Sequence, residues 1–334
     1  MRTRISHVRH EIASQKLLST DIERLLIEQN THLRFQPNSI ESITGIHSRY
    51  HVVEGQYNSH LAAAAAQKSL KAAGVATNEI DLLIFAAAGQ DLIEPATAHI
   101  VSEMLGCSCP VFDIKNACNS FLCGIEVASA LIEQGRYKRV LITTGETPSK
   151  CIKWKLDSRQ EFKKRFAGFT FGDAGAACIV EASETTAGIL VQKSMASSEY
   201  WNSGTLPGGG SRHPRGDEFS YFEGDPGALR KGFEAIGPGF IHQTLEDAGL
   251  RIEDIDLFCI HQVSLPFLED FLRISNIPLA KVMVTIQEYG NMAAASLPVA
   301  LSLALEHNRV RSGSVIAMIG LAGGISLHMT VLRY

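Results

Sequence analysis

Long apolar runs are missing from this sequence. No window approaches the roughly 18 uninterrupted apolar residues of a membrane span, and the opening MRTRISHVRHEIASQ lacks the apolar stretch of a secretory signal. A soluble, cytoplasmic chain with no membrane partner is expected. Paired cysteines are missing too. The seven present, Cys107, Cys109, Cys118, Cys123, Cys151, Cys178 and Cys259, are odd in number and show no C-x-x-C spacing. That argues against a disulfide framework and against a zinc site. An excess of charge of one sign is missing as well, and a net charge of −4 gives no electrostatic ground for a nucleic-acid partner.

What is present is enough apolar material for a large interior. The chain has 334 residues, 45% of them hydrophobic, which suits one large core or two modest ones. Self-similarity decides between them. Ala73-Gly74-Val75 with Glu79-Ile80-Asp81-Leu82 recurs as Ala248-Gly249-Leu250 with Asp254-Ile255-Asp256-Leu257, an offset of 175 residues. The same offset carries Val111 onto Ile286, Asp113 onto Glu288, Asn116 onto Asn291, Val140-Leu141 onto Val315-Ile316 and Gly145 onto Gly320. Two homologous halves follow, taken as 1–180 and 181–334.

Each half is expected to hold a helix, a buried strand (LLIFAAAG; LFCIHQV), a short second strand, a small-residue helix and a third strand (VLITTG; VIAMIG). Short apolar strands bounded by glycine and polar residues suit a sheet covered by helices on both faces. Alanine-rich stretches at 60–73 and 293–306 supply helices that pack closely. The expected architecture is an α/β protein, a duplicated five-layer helix/sheet/helix/sheet/helix sandwich. The stretch from about 150 to 239, with its loop PGGGSRHPRGDE, has no counterpart in the first half and reads as excursions over a site.

Cys118 lies in DIKNACNSFLCGIEVASALI, where a short strand gives way to a helical pattern. A thiol at a helix N-terminus is expected to have its pKa lowered and to act as a nucleophile toward a thioester carbonyl. Against this stands the common use of cysteine as a small buried residue. His261 follows the strand IDLFCI directly and so projects from a strand's carboxyl end, where sheet-based sites gather ligands. A lone histidine there is more often structural. Asn291, in YGNMAAASLP, is the counterpart of Asn116, two residues before Cys118. The pseudo-twofold relation would bring Cys118, His261 and Asn291 into one pocket, where a neutral imidazole and an amide can both donate to a carbonyl becoming an enolate. Near the C-terminus, GLAGGIS offers unobstructed backbone N–H groups for an oxyanion.

NACNSF, FGDAGAA, HQVSLP, GNMAAASLPVAL and GLAGGISL resemble, in order and spacing, the ketoacyl synthase III family of condensing enzymes, over nearly the whole chain. The resemblance implies the thiolase fold, a homodimer, no cofactor, and coenzyme A or acyl carrier protein thioesters as substrates. It places the nucleophile at Cys118, the carbonyl-binding pair at His261 and Asn291, and the second oxyanion donor at Gly323. An acyl group would pass to Cys118, then be attacked by a carbanion made from a malonyl-type thioester.

The chain also departs from that pattern. The usual Gly-Asp-Gly-Ala-Gly-Ala reads Gly172-Asp173-Ala174-Gly175-Ala176-Ala177, and Ser39 and Ile43 replace a tryptophan and an arginine that contact the coenzyme A nucleotide in fatty-acid priming members. A specialised pathway is therefore expected. GQDLIEPATAHIVSEMLG resembles the olefin-pathway and pyrone-forming branch, in which a glutamate before Pro-Ala-Thr enters the neighbouring subunit's pocket. Glu94 is the matching residue, implied to take an α-proton; without the resemblance it reads as a solvated glutamate ahead of a helix opening on Pro95. The basic run Lys150, Lys153, Lys155, Arg159, Lys163, Lys164, Arg165 suits an acidic carrier protein, with Lys163 and Lys164 as contacts, or equally a solvated helix face. A papain-like hydrolase, a non-catalytic partner subunit and acyl transfer to oxygen or nitrogen are the competing readings.

Overall fold

The computed structural model describes residues 2–237 and 239–334. The first half runs β1 (Arg2–Ile12), β2 (Gln15–Leu18), α1 (Ser19–Gln29), α2 (Ser39–Thr44), β3 (Ser48–His51), α3 (Asn58–Ala73), β4 (Leu82–Ala86), α4 (Thr97–Leu105), β5 (Val111–Ile114), α5 (Ser120–Glu133), β6 (Arg139–Glu146), α6 (Arg159–Arg165) and β7 (Ala174–Ser183). There follow β8 (Gly188–Ala196), β9 (Gly204–Thr205), β10 (Glu223–Gly224), α7 (Pro226–Ile236), α8 (Gly239–Asp247), β11 (Leu257–Ile260), α9 (Leu265–Ser275), α10 (Ile286–Tyr289), α11 (Ser296–Glu306), β12 (Val315–Ala322) and β13 (Ser326–Arg333).

Two mixed sheets organise these elements, in the orders β1-β7-β6-β4-β5 and β11-β12-β13-β8. Strand β4 lies parallel to both β6 and β5, β11 and β12 are parallel neighbours, and the remaining pairings within the two sheets are antiparallel. Alternation along each strand sets the layers. Leu82 and Ile84 of β4 share a core with α5, α11 and with Leu257, Cys259, Ile316 and Met318 of the second sheet. Leu83 and Phe85, the alternate residues, face the alanine-rich α3 and α4. On the far side, Phe258, Ile260, Ala317 and Ile319 pack beneath α8 and α9. The layers are therefore α3/α4, first sheet, α5/α11, second sheet, α8/α9, the five-layer thiolase sandwich.

One element differs from the expectation. The short second strand of the second half, the counterpart of β5, is the helical turn α10. The carbonyl oxygen of the buried Gln262 side chain accepts from Thr285 N at 2.9 Å and Ile286 N at 3.0 Å, which captures two backbone donors and turns the chain into a helix. The excursions packed against α1 and α2 close over an aromatic cluster that includes Trp154, Phe162, Phe166, Phe169, Phe171 and Phe222.

Candidate active site

The elbow between β5 and α5 carries Cys118. Ala117, just before it, is held at φ 45°, a left-handed conformation costly for a residue with a Cβ. The turn is tied internally. Asn116 N donates to Ser120 Oγ at 2.8 Å, Ser120 Oγ donates to Ala117 O at 2.7 Å, and Asn119 N donates to Asn116 O at 3.0 Å. Cys118 is half-buried. Its thiol is pushed up to about 12, first by burial and then by the nearby Glu146 carboxylate, against the opposing pull of its own backbone N–H. This corrects the expected lowering. The helix-terminal field is present, but loss of hydration outweighs it, so the resting sulfur is a protonated thiol.

His261 continues beyond β11 through its N–H to Ile319 O at 2.9 Å. Its side chain is 1% exposed, and among the described residues neither Nδ1 nor Nε2 has a hydrogen-bond partner. Burial alone pushes it down to about 4, so the ring is neutral at ordinary pH, with one N–H to give and one lone pair to offer. A buried imidazole with two idle nitrogens costs stability unless something polar arrives.

Asn291 is 8% exposed and is seated by the segment before β7: Asn291 N donates to Thr170 O at 2.8 Å, and Gly172 N donates to Asn291 O at 3.1 Å. Its Oδ1 accepts from Ala293 N at 3.0 Å, which leaves the amide nitrogen, unpaired among the described residues, as a donor. Ala293 sits at φ 47°, so each half places a strained alanine beside its candidate functional residue.

Glu146, at the end of β6, was not foreseen. It is 2% exposed and accepts three backbone N–H groups, from Ala88 at 2.5 Å, Gly89 at 3.1 Å and Ala294 at 3.3 Å. One carboxylate thus ties the exit of β4 to the Asn291 turn while lying close enough to Cys118 to affect its ionisation. Burial nevertheless pushes Glu146 up to about 7. An acid ending the apolar strand VLITTGE was the available signal.

Gly323 lies in the turn from β12 to β13, where, among the described residues, an added Cβ would meet only Gly204 O, at 3.5 Å. Glu94 stands apart. It is exposed, in a loop whose Leu92 and Ile93 are 51% and 68% exposed, and makes no hydrogen bond or ion pair among the described residues. The basic run is less free than its sequence suggests. Lys164 pairs with Glu223 at 2.5 Å, Lys153 with Glu161 at 2.5 Å, and the buried Arg165 donates to Tyr221 O and Phe222 O. Lys163 forms no ion pair among the described residues.

Residues 112–198 match the model of 3-oxoacyl-[acyl-carrier-protein] synthase III, and residues 245–334 match its C-terminal model. The beta-ketoacyl-[acyl-carrier-protein] synthase III of Neisseria meningitidis serogroup A is 31% identical over 298 residues, 88% of this chain and 90% of the relative. That of Laribacter hongkongensis is 33% identical over 299 residues, again 88% and 90%. The chain belongs to the beta-ketoacyl-[acyl-carrier-protein] synthase III family. It is a ketosynthase, an acyltransferase that condenses acyl thioesters using a cysteine. Among solved structures, Xanthomonas campestris OleA with bound lauric acid and lauroyl-CoA superposes with a TM-score of 0.90 at 28% identity, covering 100% of this chain and 99% of that one. Cerulenin-bound OleA gives 0.88 at 28% identity, covering 100% and 97%. No helix among the described residues of this synthase III relative is long and apolar enough to cross a membrane.

Proposed function

We propose that this condensing enzyme loads an acyl group from a coenzyme A or carrier-protein thioester onto Cys118 and joins it through carbon to a second thioester held by His261 and Asn291. The observation that carries the reading is the buried, neutral His261 with both ring nitrogens unpartnered among the described residues. In the first step Cys118 Sγ attacks the thioester carbonyl, the oxygen takes negative charge between the N–H groups of Cys118 and Gly323, and the carrier leaves as a thiol bearing the proton that Cys118 gave up. In the second, a carbanion attacks the acyl-Cys118 carbonyl and expels the sulfur, while His261 and the Asn291 amide hydrogen-bond the enolate oxygen.

A malonyl-type substrate would supply that carbanion by losing carbon dioxide. Glu94 offers the other route, removal of an α-proton, from its exposed loop into a partner subunit's site. A homodimer is supported by β5, which ends its sheet with an open edge and a 36% exposed Phe112. The lauric acid and lauroyl-CoA bound to OleA favour fatty acyl substrates, and the replacements at Ser39 and Ile43 support a specialised, secondary-metabolic pathway. Lys163 is the better supported carrier-protein contact, because Lys164 is neutralised.

Intact-protein mass spectrometry after incubation with lauroyl-CoA tests the reading. The native chain should gain one acyl group, Cys118→Ala none, and His261→Ala should gain it yet form no condensed product. Acyl uptake by Cys118→Ala would overturn the proposal. Glu94→Gln should acylate normally and lose only condensation that proceeds without decarboxylation.

A further inference from the structure

Asn119 follows Cys118, and its side chain reaches across to the other half of the molecule. It is wholly buried. Its Nδ2 donates to Ser326 Oγ at 2.9 Å and to Ser326 O at 3.1 Å. Ser326 is itself fixed on both sides, opposite Ala322 of β12 and Ala196 of β8. Among the described residues these are the only hydrogen bonds between the Cys118 elbow and the Gly-rich turn containing Gly323. The fit is close enough that a side chain at Gly320 would overlap Asn119 Oδ1.

That same Oδ1 is buried with no donor among the described residues. A residue selected for stability alone would not keep an orphaned amide oxygen in a dry interior, where its lost hydration is uncompensated. What Asn119 supplies is registration. The two candidate oxyanion donors, the N–H groups of Cys118 and Gly323, come from different halves of the chain, and the alignment of such donors decides how much charge they stabilise.

We infer that Asn119 is a positioning residue for acyl transfer: by pinning the nucleophile elbow to Ser326 it sets the spacing of the two oxyanion donors. The inference rests on Cys118 being the nucleophile. Alkylation of a thiol by iodoacetamide passes through no oxyanion, whereas acylation by a thioester does, so the two reactions separate donor alignment from the condition of the sulfur.

The test compares lauroyl-CoA acylation with iodoacetamide alkylation at Cys118, both followed by intact mass. In Asn119→Ala the saturating acylation rate should fall by at least about tenfold with KM little changed, while the alkylation rate and its pH profile stay at native values. Ser326→Ala should give a smaller fall, and the double variant should be no slower than Asn119→Ala, because the pair acts as one unit. Native acylation in Asn119→Ala, or acylation and alkylation falling together, would overturn the inference. Acyl uptake by Cys118→Ala would instead sink the nucleophile assignment on which it rests.

Discussion

His261 and His328 both lie inside the protein, and burial pushes each down to about 4 from an ordinary value of 6.5. Between those values the unfolded chain binds more protons than the folded one, so stability rises with pH across the window and is lost as pH falls from about 6.5 to about 4. Each site contributes on the order of 3 kcal/mol. Glu146 acts in the opposite sense. Its carboxyl, pushed up to about 7 from 4.5, favours the folded state when protonated, and that contribution is lost as pH rises from about 4.5 to about 7, offsetting one of the two histidines in that range. The expected result is a urea midpoint that drops between pH 6.5 and 4.5, with a shallower drop for His328→Gln; equal slopes would mean that His328 is not buried neutral. At the active site, Glu146→Gln removes the negative charge that helps hold the Cys118 proton, so the pH profile of Cys118 alkylation should move to lower pH. An unmoved profile would place Glu146 outside the reach of the sulfur.

At the scale of elements, the 175-residue repeat has a physical content visible in one pair of glycines. Gly145 of β6 and Gly320 of β12 are counterparts, and each lets a chain segment come close. A Cβ at Gly145 would overlap the carbonyl oxygen of Asn58 at the start of α3, as one at Gly320 would overlap Asn119. Gly145→Ala should therefore cost about 2 kcal/mol or more, read as a lower thermal midpoint. No loss would mean that α3 can retreat without cost. The pair was legible as a repeat, but what each glycine approaches was not, because the opposing atoms lie 87 and 201 positions away along the chain. Gln262 shows the limit more sharply. The repeat predicts a strand at 286–289, and one buried side chain overrides it by capping Thr285 and Ile286. Gln262→Ala leaves those donors and Met283 O unpaired, a loss of about 1–3 kcal/mol measurable by chemical denaturation.

For the whole molecule, the open edge of β5 and the exposed Leu92-Ile93-Glu94 tip are where the proposed homodimer is tested. Phe112→Glu places a charge on that edge, and light scattering should then report a mass near the 36.3 kDa of a single chain, against twice that for the proposed homodimer. A variant that stays at the native mass would reject β5 as the contact. The sequence by itself determined the duplicated α/β layers and the residue types at Cys118, His261 and Asn291, because period-two strands, alanine-rich helices and a constant offset are local or pairwise patterns. Only the tertiary structure decided the charge states and the company these residues keep. Hydration is lost in proportion to what surrounds a group in space, which is why Cys118 is a resting thiol, Glu146 sits beside it, and Asn119 reaches across to Ser326.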